Sequence, residues 1–237
     1  MALNTSEPLK TLAVDIGGSG IKVMVLDEKG EPMTARDRLD TPVLPTPEAV
    51  LDIILTLATD KTFDRVSVGF PGVIRVGVTE TAANLHPSWI GFNLQGALQE
   101  KLGKPVRVAN DADLQGLGVV AGQGLELVIT LGTGFGSALF IQGILVPNLE
   151  LGHHPFRKGE TYEQQLGRAA LETAGKKKWQ ERLNKAIAQL AHTFNYDYLY
   201  IGGGNAKEIK MELPPRVKIV PNIAGLLGGI ALWRGEV

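Results

Sequence analysis

The 237-residue chain contains no cysteine. Disulfides, thiolate metal sites and a cysteine nucleophile are therefore excluded, and any chemistry falls to His, Asp, Glu, Ser and Thr. An excess of one charge is missing too: 24 Lys+Arg face 25 Asp+Glu, a formal net charge of −1. Such a balance argues against a protein that coats nucleic acid or an anionic membrane. No apolar run reaches the roughly 18 residues that a membrane span needs. Met1 to Lys10 lacks the apolar core of a secretory signal, so the cytoplasm is the expected compartment. The familiar nucleotide loops are absent as well. G-x-x-x-x-G-K-[ST] occurs nowhere, and Gly17-Gly18-Ser19-Gly20-Ile21-Lys22 departs from G-x-G-x-x-G and leads into a strand where a dinucleotide site needs a helix.

What is present is a folded chain with 44% hydrophobic residues, long enough for one large or two small domains. Its 29 glycines are about 12% of the sequence, against an ordinary usage of roughly 7%. Leu12 to Ile16 reads as a buried strand, Ile21 to Leu26 as its hairpin partner and Pro32 to Leu39 as a third, more exposed strand. Thr46 and Pro47 open a helix with Val50, Ile54, Leu57 and Ala58 at helical spacing. A strand Val66 to Phe70, a helix Leu94 to Leu102 stopped by Gly103, a strand Val106 to Ala109 and a helix Asp111 to Val120 complete a βββαβαβα unit. A second unit starts at Leu127 to Leu131, followed by Ser137 to Ile141, Ile144 to Val146, helices, Tyr198 to Ile201, a helix from near Asn205, Val217 to Val220 and a C-terminal helix. Leu12-to-Ser19 and Leu127-to-Gly134 match as apolar strand plus glycine turn, displaced by about 115 residues. Trp179, Leu183, Ala186, Ile187, Leu190 and Phe194 keep a 3.6-residue period and form a core stripe.

Glycine turns directly after buried strands, Gly17-Gly18-Ser19-Gly20 and Gly132-Thr133-Gly134, let backbone N–H groups approach phosphate oxygens; equally, they are tight hairpins. Gly202-Gly203-Gly204-Asn205 is a third such cluster, placed before the expected helix, where amides and the helix dipole favour an anion. Asn110-Asp111-Ala112-Asp113 ends a strand and opens a helix, either as cap and first-turn acids or as a site. Asn84 and Glu150-Leu151-Gly152-His153-His154 lie in loops. The histidine pair lacks a third ligand of suitable spacing for a metal. Lys176-Lys177-Lys178 reads as a solvated helix start or a basic strip.

Taken as a series, Asp15 to Lys22, Asn110 to Asp113, Leu131-Gly132-Thr133-Gly134-Phe135-Gly136-Ser137-Ala138, Glu150 to His153 and Ile201 to Asn205 resemble the motifs of the ROK sugar kinases, and within them the polyphosphate glucokinase branch. The resemblance implies an α/β, two-lobed, actin-like and hexokinase-type (ribonuclease H-like) fold, with sugar and phosphoryl donor meeting in the cleft between lobes. Its lobes would span residues 1–112 and 113–237, the last helix able to pack back on the first. By the same resemblance Asp111 is the general base for the primary hydroxyl of glucose, and Asn84, Asn110, Glu150 and His153 hold the sugar. Asp15, Gly17, Gly18, Ser19, Gly20, Lys22, Gly132, Thr133, Gly134, Gly203 and Gly204 hold the donor, polyphosphate or ATP, and Mg²⁺ sits near Asp15 through water. Zinc is not expected, because the cysteine-rich site that many members carry after Glu-x-Gly-His cannot form here. A homodimer is implied; nucleic-acid and membrane partners are not. Asp15 comes too early for the helix-turn-helix that precedes the kinase motifs in ROK repressors. An ATP-dependent kinase of another hexose or N-acyl hexosamine is the alternative enzyme, and a non-catalytic sugar or nucleotide sensor or an actin-like assembly protein the alternative class. Lys22, Arg168, Lys176, Lys177, Lys178 and Lys207 are the candidate cations for a polyphosphate chain, which offers repeated charge and no base or ribose to grip.

Overall fold

The computed structural model describes residues 8–82, 85–221 and 224–234. Asn84, an expected sugar ligand, lies outside the described residues. Two compact units are present: the described residues up to Ala109 together with those from Leu226 onward, and Asn110 to Gly225. This division falls slightly earlier than the one drawn from the sequence.

In the first unit β1 (Thr11–Ile16), β2 (Ile21–Leu26), β3 (Asp37–Leu39), β4 (Arg65–Phe70) and, beyond a small sheet of β5 (Ile74–Arg75), β6 (Val78–Thr79) and β7 (Phe92–Asn93), β8 (Val106–Asn110) form a sheet of order β3-β2-β1-β4-β8. β1 runs antiparallel to β2 and parallel to β4. Helix α1 (Pro47–Ala58) starts where Thr46 Oγ1 accepts the Ala49 N–H, the capping bond that its sequence position calls for. It buries Val50, Leu51, Ile54 and Leu57 against the sheet, each worth roughly 1.5–3 kcal/mol when removed from water. Helix α2 (Leu94–Leu102) stops at Gly103, whose φ of 62° is left-handed.

The second unit repeats this order. After α3 (Asp111–Leu117), β9 (Leu125–Leu131), β10 (Phe135–Ile141), β11 (Ile144–Val146), β14 (Tyr198–Gly202) and β15 (Val217–Ile219) form the sheet β11-β10-β9-β14-β15. Here β9 and β10 are antiparallel, and β9, β14 and β15 are parallel in turn. Between β11 and β14 lie the hairpin β12 (Pro155–Arg157) and β13 (Glu160–Thr161), then α4 (Tyr162–Leu166) and α5 (Arg168–Phe194). On one face of the sheet Leu127, Ile129, Leu131, Leu199 and Ile201 meet Trp179, Leu183, Ala186, Ile187 and Leu190 of α5, with Phe194 partly buried beside them. On the other, α3 packs with Val128, Ala138, Phe140 and Tyr200. Glu126 is fully buried there, accepting the N–H groups of Ala121, Gly122 and Gln123 and the Tyr200 hydroxyl.

Several elements differ from expectation for visible reasons. The third strand is shorter, because Asp27 Oδ1 takes the N–H groups of Lys29 and Glu31 and leaves an isolated bridge between Leu26 and Pro32, a local side-chain alternative to a ladder. No helix starts near Asn205. A single 3₁₀ turn, Ala206–Glu208, stands there, and the next backbone donors, Lys210 and Met211, go to Gln180 Oε1. α3 ends at Leu117 instead of Val120. α5 is broken at Gly175 (φ 77°, ψ 158°), so that Lys176 opens its second stretch. The C-terminal helix is short, α6 (Ala224–Leu227), continuing as the 3₁₀ segment Gly228–Trp233. Within the first unit that segment is held by Trp233 Nε1 donating to Ser67 Oγ (2.8 Å), Ser67 Oγ donating to the Gly229 carbonyl (2.6 Å), and Arg65 and Arg107 over the Trp233 ring. Among the described residues no helix is long and apolar enough to cross a membrane.

Candidate active site

The β1–β2 register sets Asp15 opposite Lys22, and the β2–β3 register sets Lys22 opposite Arg38. Facing partners in neighbouring strands project to the same side, so three charges form a row beneath the first glycine turn. Lys22 Nζ lies 2.6 Å from Asp15 Oδ2. Arg38 donates to the Ser19 carbonyl (2.7 Å) and pairs with Asp40 (2.8 Å), while Thr41 Oγ1 donates to the Gly17 carbonyl (2.6 Å). A trans peptide sets its N–H opposite its C=O. With the Gly17 and Ser19 carbonyls engaged in this way, the amides of Gly18 and Gly20 face the other direction. Gly18 and Ser19 are exposed at the tip.

The second turn is built on the same logic with different parts. The Arg168 N–H at the start of α5 reaches the carbonyls of Gly132 (3.0 Å) and Thr133 (3.3 Å), and Asn205 Nδ2 reaches the Gly132 carbonyl (2.9 Å). The Thr133 and Gly134 amides are thereby turned away from α5. The third cluster supports this turn: Gly203 (φ 85°) lies so close to the Leu131 backbone that a Cβ would collide with it, and Asn205 donates its N–H to the Leu131 carbonyl (2.8 Å). Gly203 thus has a packing duty of its own, whereas the space a Cβ would take at Gly204 is open.

The remaining motif residues come together within the second unit. Asn110 caps α3 through Oδ1, which accepts the N–H groups of Ala112 (2.8 Å) and Asp113 (3.3 Å). This leaves Nδ2 to reach Glu150 Oε1 (3.4 Å). Asp111 follows in the first turn, partly exposed, its Oδ1 also near the Ala112 N–H (2.8 Å). Glu150 Oε2 lies 3.5 Å from His153 Nε2. Burial pushes the Glu150 carboxyl above its ordinary value, Glu163 adds to the shift, and His153 opposes it.

The loop carrying Glu150 is fixed from both ends. Ser137 Oγ donates to the Leu149 carbonyl (2.5 Å) and accepts from the Leu151 N–H (3.1 Å), and at Gly152 a Cβ would strike the Phe135 carbonyl. After His153 the β12–β13 hairpin is packed through Tyr162. That ring stacks on Phe156 (centroids 4.6 Å apart) and tilts against Phe135 (5.3 Å). The two histidines diverge: His154 Nδ1 is 2.9 Å from the Pro155 carbonyl while His153 faces Glu150. Among the described residues no group of three or more His, Asp or Glu forms a metal cage.

Sequence reasoning did not reach Arg38 or Thr41, and it left Asp113 between a first-turn helix acid and part of a site, with no role of its own. Strand register exposes Arg38, whereas Asp113 is 2% exposed and flanked by the buried Ala112 and Leu114. An acid bracketed by small and apolar residues in a first turn was the available signal. A groove of about 470 Å³, lined by Ala191, Asn195, Tyr196 and Pro214 to Val217, borders the N-terminal ends of β14 and β15. It lies at the opposite end of the sheet from Gly132 and plays no part in this site.

Residues 11–161 match the model of the ROK family, and the chain belongs to that family. It adopts the actin-like, hexokinase-type fold of ROK sugar kinases. It is similar to a polyphosphate glucokinase from Mycobacterium tuberculosis, 34% identical over 236 residues that cover 91% of this chain and 88% of the relative. Among solved structures it is similar to the inorganic polyphosphate/ATP-glucomannokinase of Arthrobacter sp. strain KM, with a TM-score of 0.85, 35% identity and coverage of 96% of this chain and 100% of that one. The ROK glucokinase of Streptomyces griseus, solved with glucose and AMPPNP, shares the fold at 22% identity and a TM-score of 0.80, covering 95% of this chain and 100% of that one.

Proposed function

We propose that the protein is a glucokinase that transfers a phosphoryl group from inorganic polyphosphate, with ATP as a second donor, to the primary hydroxyl of glucose. The observation that carries this is the constellation in the second unit, where Asn110 ties Glu150 to the start of α3 one residue before Asp111. Likeness to the polyphosphate glucokinases and to the glucomannokinase supports the choice of donor and sugar.

Asn110, Glu150 and His153 present acceptors and donors to the sugar hydroxyls, and Asn84 belongs to the same set. Asp111 takes the proton of the primary hydroxyl as its oxygen bonds to the terminal phosphorus. The phosphoanhydride bond breaks, leaving a chain shorter by one phosphate, or ADP. Such transfers need little covalent chemistry and much positioning and charge neutralisation. Gly18, Ser19, Gly20 and Lys22 in one unit, and Thr133, Gly134 and Gly204 in the other, supply amides and charge to the phosphates, while the Gly17 and Gly132 N–H groups close the turns themselves on the Gly20 and Gly134 carbonyls. Arg38 joins them. Gly203 serves by holding the second turn.

Mg²⁺ fits these residues. It is ordinarily held by one or two carboxylates, waters and substrate phosphates. Asp15 offers one partly exposed carboxylate beside the phosphate turn, with Lys22 engaged on Oδ2 alone. When bound, the ion would neutralise charge on the donor phosphates. The proposal includes no zinc, the Tyr162 cluster holding the loop after His153, and includes a cytoplasmic homodimer. A donor-by-sugar activity matrix on purified protein, with polyphosphate and ATP against glucose, mannose and N-acetylmannosamine, tests the reading. Turnover of glucose with polyphosphate is expected; turnover with ATP alone would leave an ATP-dependent sugar kinase.

A further inference from the structure

Asp113 has no place in the reaction just described, yet it is the most deeply buried acid of the acceptor region. One of its carboxyl oxygens accepts the N–H of Asn148, and Oδ1 is buried with no hydrogen-bond partner. Asn148 holds a left-handed backbone (φ 63°), a conformation uncommon outside glycine, and stands two residues before Glu150. The Asp113 backbone N–H is bound in turn by Asn110 Oδ1, while Asn110 Nδ2 reaches Glu150. Asp113 therefore closes a ring that runs from Asn110 to Glu150 and returns through Asn148. Tethering the loop at 148 fixes where a carboxylate two residues on can point.

We propose that Asp113 is a positioning residue for sugar binding, its buried carboxyl holding the 148–150 loop so that Glu150 meets both Asn110 and the sugar. This rests on the sugar-site assignment of Asn110, Glu150 and His153. Glu150 is the charged group that acts on Asp113, His153 and Glu163 act in turn on Glu150, and Asp111 is the other acid on α3. Burial pushes the Asp113 carboxyl up to about 7, with Glu150 adding to the shift. The Asn148 N–H opposes that shift by favouring the anion; the neutral form still offers Asn148 an acceptor and avoids a second buried charge beside Glu150.

The experiment compares Asp113→Ala and Asp113→Asn in the full chain, with glucose KM, donor KM and kcat measured from pH 6 to 8 and folding checked by thermal melting. Asp113→Ala is expected to raise glucose KM about tenfold, the equivalent of losing one good hydrogen bond, with donor KM changed less than twofold. Asp113→Asn, which keeps an acceptor for Asn148 and stays neutral, is expected to hold glucose KM near the parent's pH 6 value throughout. The parent's KM is expected to rise severalfold toward pH 8. Wild-type KM and pH profile in Asp113→Ala, or equal damage in both variants, overturns the proposal. Glu150→Ala serves as the separate arm: unchanged glucose KM there overturns the sugar-site assignment itself, whatever Asp113 does.

Discussion

Each of the two sheets ends its first strand in a glycine turn, at the same place in the same strand order, yet the turns carry opposite equipment. In the first unit four residues, Gly17 to Gly20, join β1 to β2, and the row beneath them is Asp15, Lys22 and Arg38. In the second, three residues, Gly132 to Gly134, join β9 to β10, and the corresponding pair is Thr130 and Gly136, without charge. The second unit places its charge elsewhere, as acids on α3 and the following loop: Asp111, Asp113 and Glu150. Shared topology supplies amides twice; under the proposed function, side chains then suit one unit to phosphate and metal and the other to a hydroxyl that must lose a proton. Fold and function part company at this point, because equal backbones accept unequal chemistry.

The sharpest way to break that contrast is to remove the proposed proton acceptor. Asp111→Asn is nearly isosteric and keeps a side chain able to take the Ala112 N–H, so melting should be little changed. General-base catalysis is worth roughly 10²–10⁴-fold, and kcat for glucose with polyphosphate is expected to fall by about that factor. Parental turnover would reduce Asp111 to a helix-cap neighbour and leave the second unit without its defining acid.

Stability against pH separates the units next. Unfolded, Asp113 releases its proton near the ordinary 3.8; folded, near 7. Between those values the native state holds the extra proton, so stability falls as pH rises through the window and the loss is complete above it. At about 1.4 kcal/mol per pH unit the full cost is on the order of 4 kcal/mol. Asp113→Asn cannot suffer this loss. Urea unfolding at pH 5 and pH 8 should show the variant gaining on the parent by a few kcal/mol at the higher pH. A constant difference would mean that Asp113 is no more strained than the surface acids of the first unit.

Much of this contrast was legible in the sequence. Strand-plus-glycine-turn at a displacement of about 115 residues exposed the doubling, and the stripe from Trp179 to Phe194 marked α5 because a long amphipathic face has little competition. Short features were harder. The two-residue strands β5, β6 and β7 carry too few positions for a period. The helix expected after Gly204 failed because Asn205 spends its backbone and side-chain donors on Leu131 and Gly132, a tertiary demand that local propensity does not contain. Arg38 and Asp113 needed register and burial, which only the folded chain supplies.

Glu150 sharpens the acid side of the comparison at a smaller scale. A buried hydrogen bond to a charged group is worth about 1.5–3 kcal/mol, so Glu150→Ala should raise glucose KM roughly tenfold or more while donor KM stays within about twofold. Because burial raises its pKa, the parent's glucose affinity should also weaken on acidification sooner than an ordinary glutamate would dictate. Unchanged KM together with unchanged kcat in the variant would remove Glu150 from the site.

Salt tests the remaining side, the cations proposed to serve a polyanionic donor. Beneath the first turn Lys22 is committed to Asp15. In the second unit Lys176 is committed to Glu208 (2.6 Å), whose carboxyl is held below its ordinary value chiefly by that bond, with Lys207 and Lys210 contributing. Lys207 and Lys210 are exposed, as are Lys177 and Lys178 at the start of the second stretch of α5, so a basic strip surrounds one acid. With a net charge of −1, the whole molecule offers no general attraction to polyphosphate, and steep salt dependence must arise from such a strip. Each neutralised phosphate of a long chain releases counterions, by analogy with nucleic acids, whereas a nucleotide presents few. Raising KCl from about 50 to 200 mM should therefore raise KM for long-chain polyphosphate severalfold and KM for ATP less. The paired substitution Lys207→Ala and Lys210→Ala should flatten the polyphosphate slope by about one to two in log–log terms and leave the ATP slope nearly unchanged. Equal slopes for the two donors in the parent would place donor recognition in the turn amides alone, and the two glycine turns would then differ only in the acid and the metal they serve.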